Sequence, residues 1–296
     1  VSALTVHCLA SGSSANAFLV TCPEGAVLLD AGLGMRTLRR YVEERGVPSA
    51  ELLGICVTHE HGDHSIGAVP YSCRWKVPIV ATEGTLVGLQ RADPARREPL
   101  HRVIERDGGL SLGPLTVEAF STCHDAFEPC GFRVSWGEHA VALATDTGVV
   151  TDAWRTACRG CQLLIVEANH DLNRLRFGPY PEHLKRRILA QTGHLDNDGA
   201  VELVLTHTDA HGPVAVWFAH LSEVNNTPGA VISQWNRAWR AAGHKASPAA
   251  IEIARRDTPS LVWQPGKRAV QPALFQATTP ECGSRREGGG VSLHRF

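Results

Sequence analysis

Leu52-Leu53-Gly54-Ile55-Cys56-Val57-Thr58-His59-Glu60-His61-Gly62-Asp63-His64 is an apolar run that ends in an H-x-H-x-D-H cluster. Four metal-binding side chains fall within six positions, more than solubility or core packing asks for. A short strand running into a tight loop turns His59 and His61 to one side and Asp63 and His64 to another. Imidazole and carboxylate together suit zinc, manganese or iron(II), and two clustered subsets suit two ions.

Working outward, the 296 residues suffice for one large domain or two small ones. With 43% hydrophobic and 20% charged residues the composition is that of a soluble globular chain. No uninterrupted apolar run reaches the roughly 18 residues of a membrane span. Val1 to Leu9 lacks a basic n-region and reads as a first strand, not a signal peptide. Nine cysteines, mostly inside apparent strands or helices, point to a reducing, cytoplasmic compartment. Cys158-Arg159-Gly160-Cys161 has no second pair, and a helix-end turn carrying two thiols is the plainer account than a zinc or redox motif. The net charge of −1 offers no global field for nucleic acid. From Gln264 on, five basic against two acidic residues leave 5 − 2 = +3, and hence −1 − 3 = −4 for the remainder.

Short apolar runs at 4–9, 17–21 and 26–29 predict strands, and the spacing of Leu38, Tyr41 and Val42 predicts a helix over 35–44. Past the His cluster, strands are expected at 77–81, 115–121, 131–136, 140–144, 161–167 and 214–219. Helices are expected over 82–91, from Pro181, over 198–208 and from the Thr227-Pro228 cap. Segments 251–254 and 261–264 close the pattern. Strands and then helix, in two successive halves, suggest one α/β domain over 1–263: two sheets face to face with helices outside, a four-layer sandwich. Residues 264–296, rich in Gly, Pro, Arg and Ser, read as a flexible C-terminal tail.

Three further ligand-type residues each stand just past an apolar β run: His124, Asp146 and His220. Singly each has a plainer account as a loop or turn residue; jointly, each is delivered by a rigid element to one sheet edge. The order H-x-H-x-D-H, His, Asp, His resembles the metallo-β-lactamase fold superfamily over roughly residues 1–263. The resemblance implies an αβ/βα sandwich with two divalent ions, zinc or manganese, with iron possible. It implies His59, His61 and His124 on the first ion, Asp63, His64 and His220 on the second, and Asp146 between them.

Finer motifs are similar to the YycJ (WalJ) group: residues 9–16 (Leu-Ala-Ser-Gly-Ser-Ser-Ala-Asn), Glu167-Ala168-Asn169-His170-Asp171, Gly178-Pro179-Tyr180-Pro181, His183-Leu184-Lys185, Gly193-His194-Leu195 and residues 219–228. Gly62, Ala15 and Asp196 depart from the usual Ser, Gly and Ser, without removing a ligand. That resemblance implies a DNA substrate and 5′-to-3′ exonuclease activity, with a hydroxide shared by two ions as nucleophile. Asp63 would orient that nucleophile, and His194 or His170 would protonate the departing oxygen. The loop Ser11-Gly12-Ser13-Ser14 would cradle a phosphate through Ser11, Ser13 and Ser14, or is a hairpin turn satisfying itself. Arg174, Arg176, Lys185, Arg186 and Arg187 interrupt the neutral pattern within fourteen residues. With His183 they would follow a nucleic-acid backbone while Phe177 or Tyr180 stacks on a base, or they form a solvated helix face. Two other readings remain open: a small-molecule hydrolase acting on a thioester, lactam or cyclic phosphodiester, and a metal-bound regulatory protein with weak catalysis.

Overall fold

The computed structural model describes residues 3–211, 214–243 and 250–267. Two mixed seven-stranded sheets pack face to face. Sheet A begins with β1 (Thr5–Gly12), β2 (Ala15–Cys22) and β3 (Gly25–Leu29), an antiparallel meander. After α1 (Met35–Glu43) the chain returns to lay β4 (Leu52–Cys56) parallel to β3. The short α2 (Gly62–Ser65) and α3 (Ala68–Trp75) lead to β5 (Ile79–Ala81), and α4 (Glu83–Ala92) leads to β6 (His101–Val103), both strands again parallel.

Sheet B repeats the plan. β7 (Gly109–Leu112), β8 (Leu115–Ser121), β9 (Cys130–Trp136) and β10 (His139–Ala144) are antiparallel. Then α5 (Asp152–Ala157) crosses to a parallel β11 (Leu163–Glu167). The excursion α6 (Leu172–Phe177), α7 (Glu182–Ile188) and α8 (Asn197–His211) precedes β12 (Ala215–Ala219), and α9 (Pro228–Ala241) precedes β13 (Ile251–Ile253). Finally β14 (Val262–Trp263) crosses back to pair with β1, so both ends of the described chain meet in sheet A.

Alternation along each strand divides the core. Phe18, Val20, Val27, Leu29 and Cys56 of sheet A meet Phe132, Val134, Val141, Ile165 and Trp217 of sheet B between the sheets. Their neighbours Leu19, Leu28, Ile55 and Ile79 face α1 and α3. Leu164, Val166, Val216 and Phe218 face α8 and α9. Strands buried on both faces read as continuous apolar runs, which is why β2 and β11 lack polar alternation. Each fully buried Val or Leu contributes about 1.5–3 kcal/mol. The expected four-layer α/β sandwich is the observed one. Thr82, Thr151, Asp171 and Thr227 cap α4, α5, α6 and α9 by accepting a backbone N–H, and Pro228 occupies the first turn of α9.

Sequence periodicity does not show α2, α3, α5, α6, β6 and β7, all short elements too brief for a periodic signal. The strands expected at 4–9 and 17–21 extend to Gly12 and back to Ala15, leaving Ser13 and Ser14 as a two-residue hairpin tip. From residue 268 the expected tail lies outside the described residues. Among the described residues no helix is long and apolar enough to cross a membrane.

Candidate metal centre and active-site pocket

β4, β8, β10 and β12 each run out at one edge of the sandwich, and the residues that follow them converge there. All seven expected ligands are brought together, in two groups that share Asp146. One is His59, His61, His124 and Asp146; the other is Asp63, His64, His220 and Asp146. Within each group the ligand atoms lie within 4.8 Å of one another. The local backbone is built for this convergence. Asp146 and His220 both turn left-handed as their strands leave the sheet, at φ 55°. The His220 N–H is anchored by Ser11 Oγ at 2.9 Å, and Asn169 Nδ2 donates to its carbonyl at 3.2 Å. The loop carrying Asp63 presses so closely on Gly32 that a Cβ there would lie 1.7 Å from the Asp63 carbonyl oxygen.

The spacing of the donor atoms fits a shared cation. Tetrahedral ligands at Zn–N distances stand about 3.3–3.4 Å apart. Here His61 Nδ1 and His124 Nε2 are 3.2 Å apart, and His59 Nε2 and Asp146 Oδ2 3.3 Å. His64 Nε2 and His220 Nε2 each lie 3.4 Å from Asp63 Oδ2, and His64 Nε2 is 3.2 Å from Asp146 Oδ2. Buried His59 Nε2 makes no well-aligned hydrogen bond even to Asp146 Oδ2 at 3.3 Å, and a cation between them would satisfy both atoms. The residues present are therefore suited to divalent cations.

Other side chains orient these imidazoles. His64 Nδ1 donates to buried Asp30 Oδ2 at 2.7 Å, which turns Nε2 toward the centre, where Asn16 Nδ2 also lies 3.1 Å from it. Asp30 in turn accepts from Thr58 N at 2.8 Å and Thr58 Oγ1 at 3.0 Å. His124 Nδ1 donates to the Gly193 carbonyl at 3.1 Å. Fully buried Glu167 accepts from His194 Nδ1 at 2.8 Å and His220 Nδ1 at 2.9 Å through Oε1, and from Thr147 N at 2.9 Å through Oε2. Burial pushes the Glu167 carboxyl up, but the neighbouring His194 charge and these hydrogen bonds outweigh it and hold the group at about 2. A third cluster of Asp146, Glu167, His194 and His220 overlaps the second ligand group, and its Glu167 oxygens are already committed. Asp30 and Glu167 carried no assigned role in the sequence reading. Asp30 nonetheless shows the signal used for the ligands, an acid directly after an apolar β run.

Electrostatically the two groups differ. Burial lowers His59 to about 3 and also lowers His124, so both are neutral and ready to ligate. Burial opposes charge on His64 and His220 as well, but Asp146 beside both, with Asp30 beside His64, raises them above their ordinary value. Asp146 and Asp63 are held below the usual carboxylate range by those histidines, against burial.

A cavity of about 170 Å³ opens beside the centre, lined among others by Ser13, His124, Asn169, Arg187, His194 and Ser222. His194 thus stands on the cavity wall, and the charges of Glu167 and Asp146 raise its pKa against burial. His170, the other expected proton donor, is buried and does not line the cavity, and burial lowers its pKa. Two expected phosphate contacts are otherwise engaged. The buried Ser11 hydroxyl accepts the His220 N–H and donates to Asn16 Oδ1, so it supports a ligand instead of facing solvent. Lys185 is buried, and its ammonium donates to the Arg176 carbonyl at 2.9 Å and Glu182 at 3.2 Å, tying α6 to α7. Ser13 is exposed on the cavity wall, while exposed Ser14 donates to Asp257 at 3.0 Å. Arg187 donates to Asp125 at 2.6 Å at the cavity mouth; His183 and Arg186 are exposed on α7 away from it. Cys158 and Cys161 are buried thiols, Cys161 pushed up to about 11 by burial, and neither joins a metal-sized cluster among the described residues.

Residues 26–218 match the family described as beta-lactamase superfamily domain. The chain is 33% identical over 221 residues to exodeoxyribonuclease YycJ of Bacillus anthracis, covering 74% of this chain and 82% of that protein. It is 30% identical over 224 residues to exodeoxyribonuclease WalJ of Streptococcus pneumoniae strain D39, covering 74% and 81%. In structure it is similar to the metallo-beta-lactamase fold protein YhfI of Bacillus subtilis, with TM-score 0.64, 17% identity and coverage of 88% and 99%. Family match, relatives and a donor set suited to divalent metals agree, and the chain belongs to the metallo-β-lactamase-fold hydrolases, within the YycJ/WalJ-like group.

Proposed function

We propose that this chain is a metal-dependent phosphodiesterase that degrades DNA as a 5′-to-3′ exonuclease. The observation that carries the reading is the pairing of two ligand groups through Asp146 beside a cavity whose wall holds Arg187, Ser13 and His194. The relatives named exodeoxyribonuclease support DNA as the polymer. His59, His61 and His124 would hold one divalent cation and Asp63, His64 and His220 a second, with Asp146 common to both groups. Bound there, zinc or manganese supplies an activated water and neutralises charge on the phosphate.

The protein's own groups do the rest. Asp63, half-buried and anionic, accepts a hydrogen bond from the attacking water and aims it. Arg187 and the Ser13 hydroxyl bind non-bridging phosphate oxygens at the cavity. His194, kept protonated by Glu167, hands a proton to the departing oxygen and is recharged from solvent, since it remains partly exposed. A closed structural site would be complete with four ligands, and seven around an open cavity favour catalysis over a regulatory role.

The test is release of mononucleotides from 5′-phosphorylated duplex and single-stranded DNA with manganese, comparing the parent with Asp63→Ala and His64→Ala. Release by the parent alone is expected. Failure of the metal-loaded parent to cut any DNA or RNA overturns the proposal, and turnover of a thioester, lactam or cyclic phosphodiester in its place returns the small-molecule reading.

A further inference from the structure

We infer that Leu184 and Ile188 of α7 select the sugar of the terminal nucleotide, so that a ribonucleotide at the degraded end stalls the enzyme. This rests on the nuclease reading and adds the residues that read deoxyribose.

The cavity beside the metal centre has walls of two origins. Loops at the sheet edge supply Ser13, Asn169 and Ser222, all polar. The helix α7 supplies Leu184, Arg187 and Ile188. These stand at i, i+3 and i+4 and share one face, a guanidinium beside two branched aliphatic side chains. Leu184 is half-buried and Ile188 buried, and Tyr180 adjoins them from just before the helix.

This wall is held at a fixed distance from the centre. The Ile188 carbonyl accepts the His194 N–H at 3.0 Å, which joins the wall to the residue that protonates the departing oxygen. A Cβ at Gly193 would lie 2.2 Å from that same carbonyl oxygen. One at Gly148, two residues past Asp146, would lie 2.3 Å from the Gln191 carbonyl oxygen. Backbone therefore packs on backbone between the end of α7 and the loops of the centre. The Lys185 carbonyl is likewise taken, by the Leu189 N–H at 3.0 Å. Leu184 and Ile188 have no hydrogen-bonding side chain, so their part of the wall gives an incoming hydroxyl no side-chain partner.

The connectivity of a nucleotide decides what meets that wall. In 5′-to-3′ degradation a bond forms between the attacking water oxygen and phosphorus, and the bond from phosphorus to O3′ of the terminal nucleotide breaks. The His194 proton goes to O3′. O3′ is carried by C3′, and C2′ is the next carbon. With the phosphate on Arg187 and O3′ at His194, the group held between them is the sugar, and C2′ comes against Leu184 and Ile188. Deoxyribose brings only hydrogens on C2′, which suit an aliphatic surface. Ribose brings a hydroxyl that sheds its water and gains no partner.

The experiment uses the manganese-loaded chain and 5′-phosphorylated blunt duplexes that differ only in the terminal sugar of the degraded strand: 2′-deoxy, 2′-hydroxy or 2′-fluoro. The parent is expected to release the ribonucleotide with kcat/KM roughly 10²-fold below that of the deoxynucleotide. The 2′-fluoro nucleotide, which has no hydroxyl to desolvate, is expected to behave as the deoxynucleotide does. Leu184→Asn supplies a partner and is expected to shrink the ratio to about 10-fold or less, whereas Leu184→Met keeps the wall apolar and should keep the ratio. Each ratio is read within one preparation, so a loss of folded protein cancels. Equal release of deoxy and ribo nucleotides by the parent, an unchanged ratio in Leu184→Asn, or rejection of 2′-fluoro as strong as that of ribose overturns this inference and leaves the nuclease reading standing. Failure of the parent to cleave any of the duplexes overturns both.

Discussion

The edge where β4, β8, β10 and β12 end and the α6–α7 excursion beside it are opposite constructions. At the edge, five of the seven candidate ligands are buried, and the second nitrogen of several is committed to a named partner: His64 to Asp30, His220 to Glu167, His124 to the Gly193 carbonyl. On α6 and α7, Arg174, Arg176, Arg186 and His183 stand in solvent, and the buried cation, Lys185, ties the two helices together. The difference teaches where precision resides. Buried charges must be paired, so the edge permits one arrangement. Exposed cations act through screened fields that tolerate several.

That contrast breaks first if the edge can be altered cheaply. Asp146→Ala removes the carboxylate common to both ligand groups and is expected to lower nuclease activity by about 10³-fold or more, with a matching loss of bound metal by elemental analysis. Retention of metal and activity would make Asp146 a bystander. His194→Ala is expected to lower kcat on DNA by about 10²-fold or more. Hydrolysis of a bis-p-nitrophenyl phosphate diester should suffer far less, because p-nitrophenolate departs without a proton; equal losses on both would remove the proton-donor role.

Asp30→Ala tests orientation at a distance from the reaction. It is expected to weaken metal binding about 10- to 100-fold in chelator competition. It should also destabilise the fold by about 3–5 kcal/mol in denaturant, since the buried His64 loses its partner.

The pH dependence follows from His64 and His220. Without metal, both are raised above 6.5 by their carboxylates, so the stability they contribute is full below 6.5 and lost as pH rises through the raised values. Metal binding requires them deprotonated and releases protons. The Tm gap between loaded and chelated protein should therefore widen as pH rises above 6.5, and a narrowing gap would remove these two groups from the linkage. The smallest effect is expected on the excursion. Arg186→Ala with Arg187→Ala should reduce the slope of log K against log salt by about 1.4–1.8, and an unchanged slope would make that face merely solvated and take Arg187 off the phosphate.

Much of the edge was legible in the chain because ligands follow a local rule. A strand that ends at a sheet edge delivers its next residue there, and His59, His124, Asp146 and His220 all stand just past apolar β runs. Asp30 obeys the same rule after β3, yet no sequence argument gave it a role, because its partner lies 34 positions away. Glu167 stands 27 residues from His194 and 53 from His220, and the pairing with His220 needs β11 and β12 to be neighbours. Ser11 and Lys185 illustrate the reverse. Their types suggest phosphate contacts, but a hydroxyl beneath His220 and an ammonium between two helices are already satisfied.

By itself the sequence determined the candidate donor set, the strand and helix alternation and the four-layer α/β architecture, since these depend on residue type and on short periodicities. Only the tertiary structure decided which histidine pKa burial lowers and which neighbouring carboxylates raise, which side chain orients which candidate ligand, and which cations stand exposed. Those properties depend on burial and on distances between residues far apart in the chain. They exist only once both sheets have brought the strand ends within a few ångströms of each other.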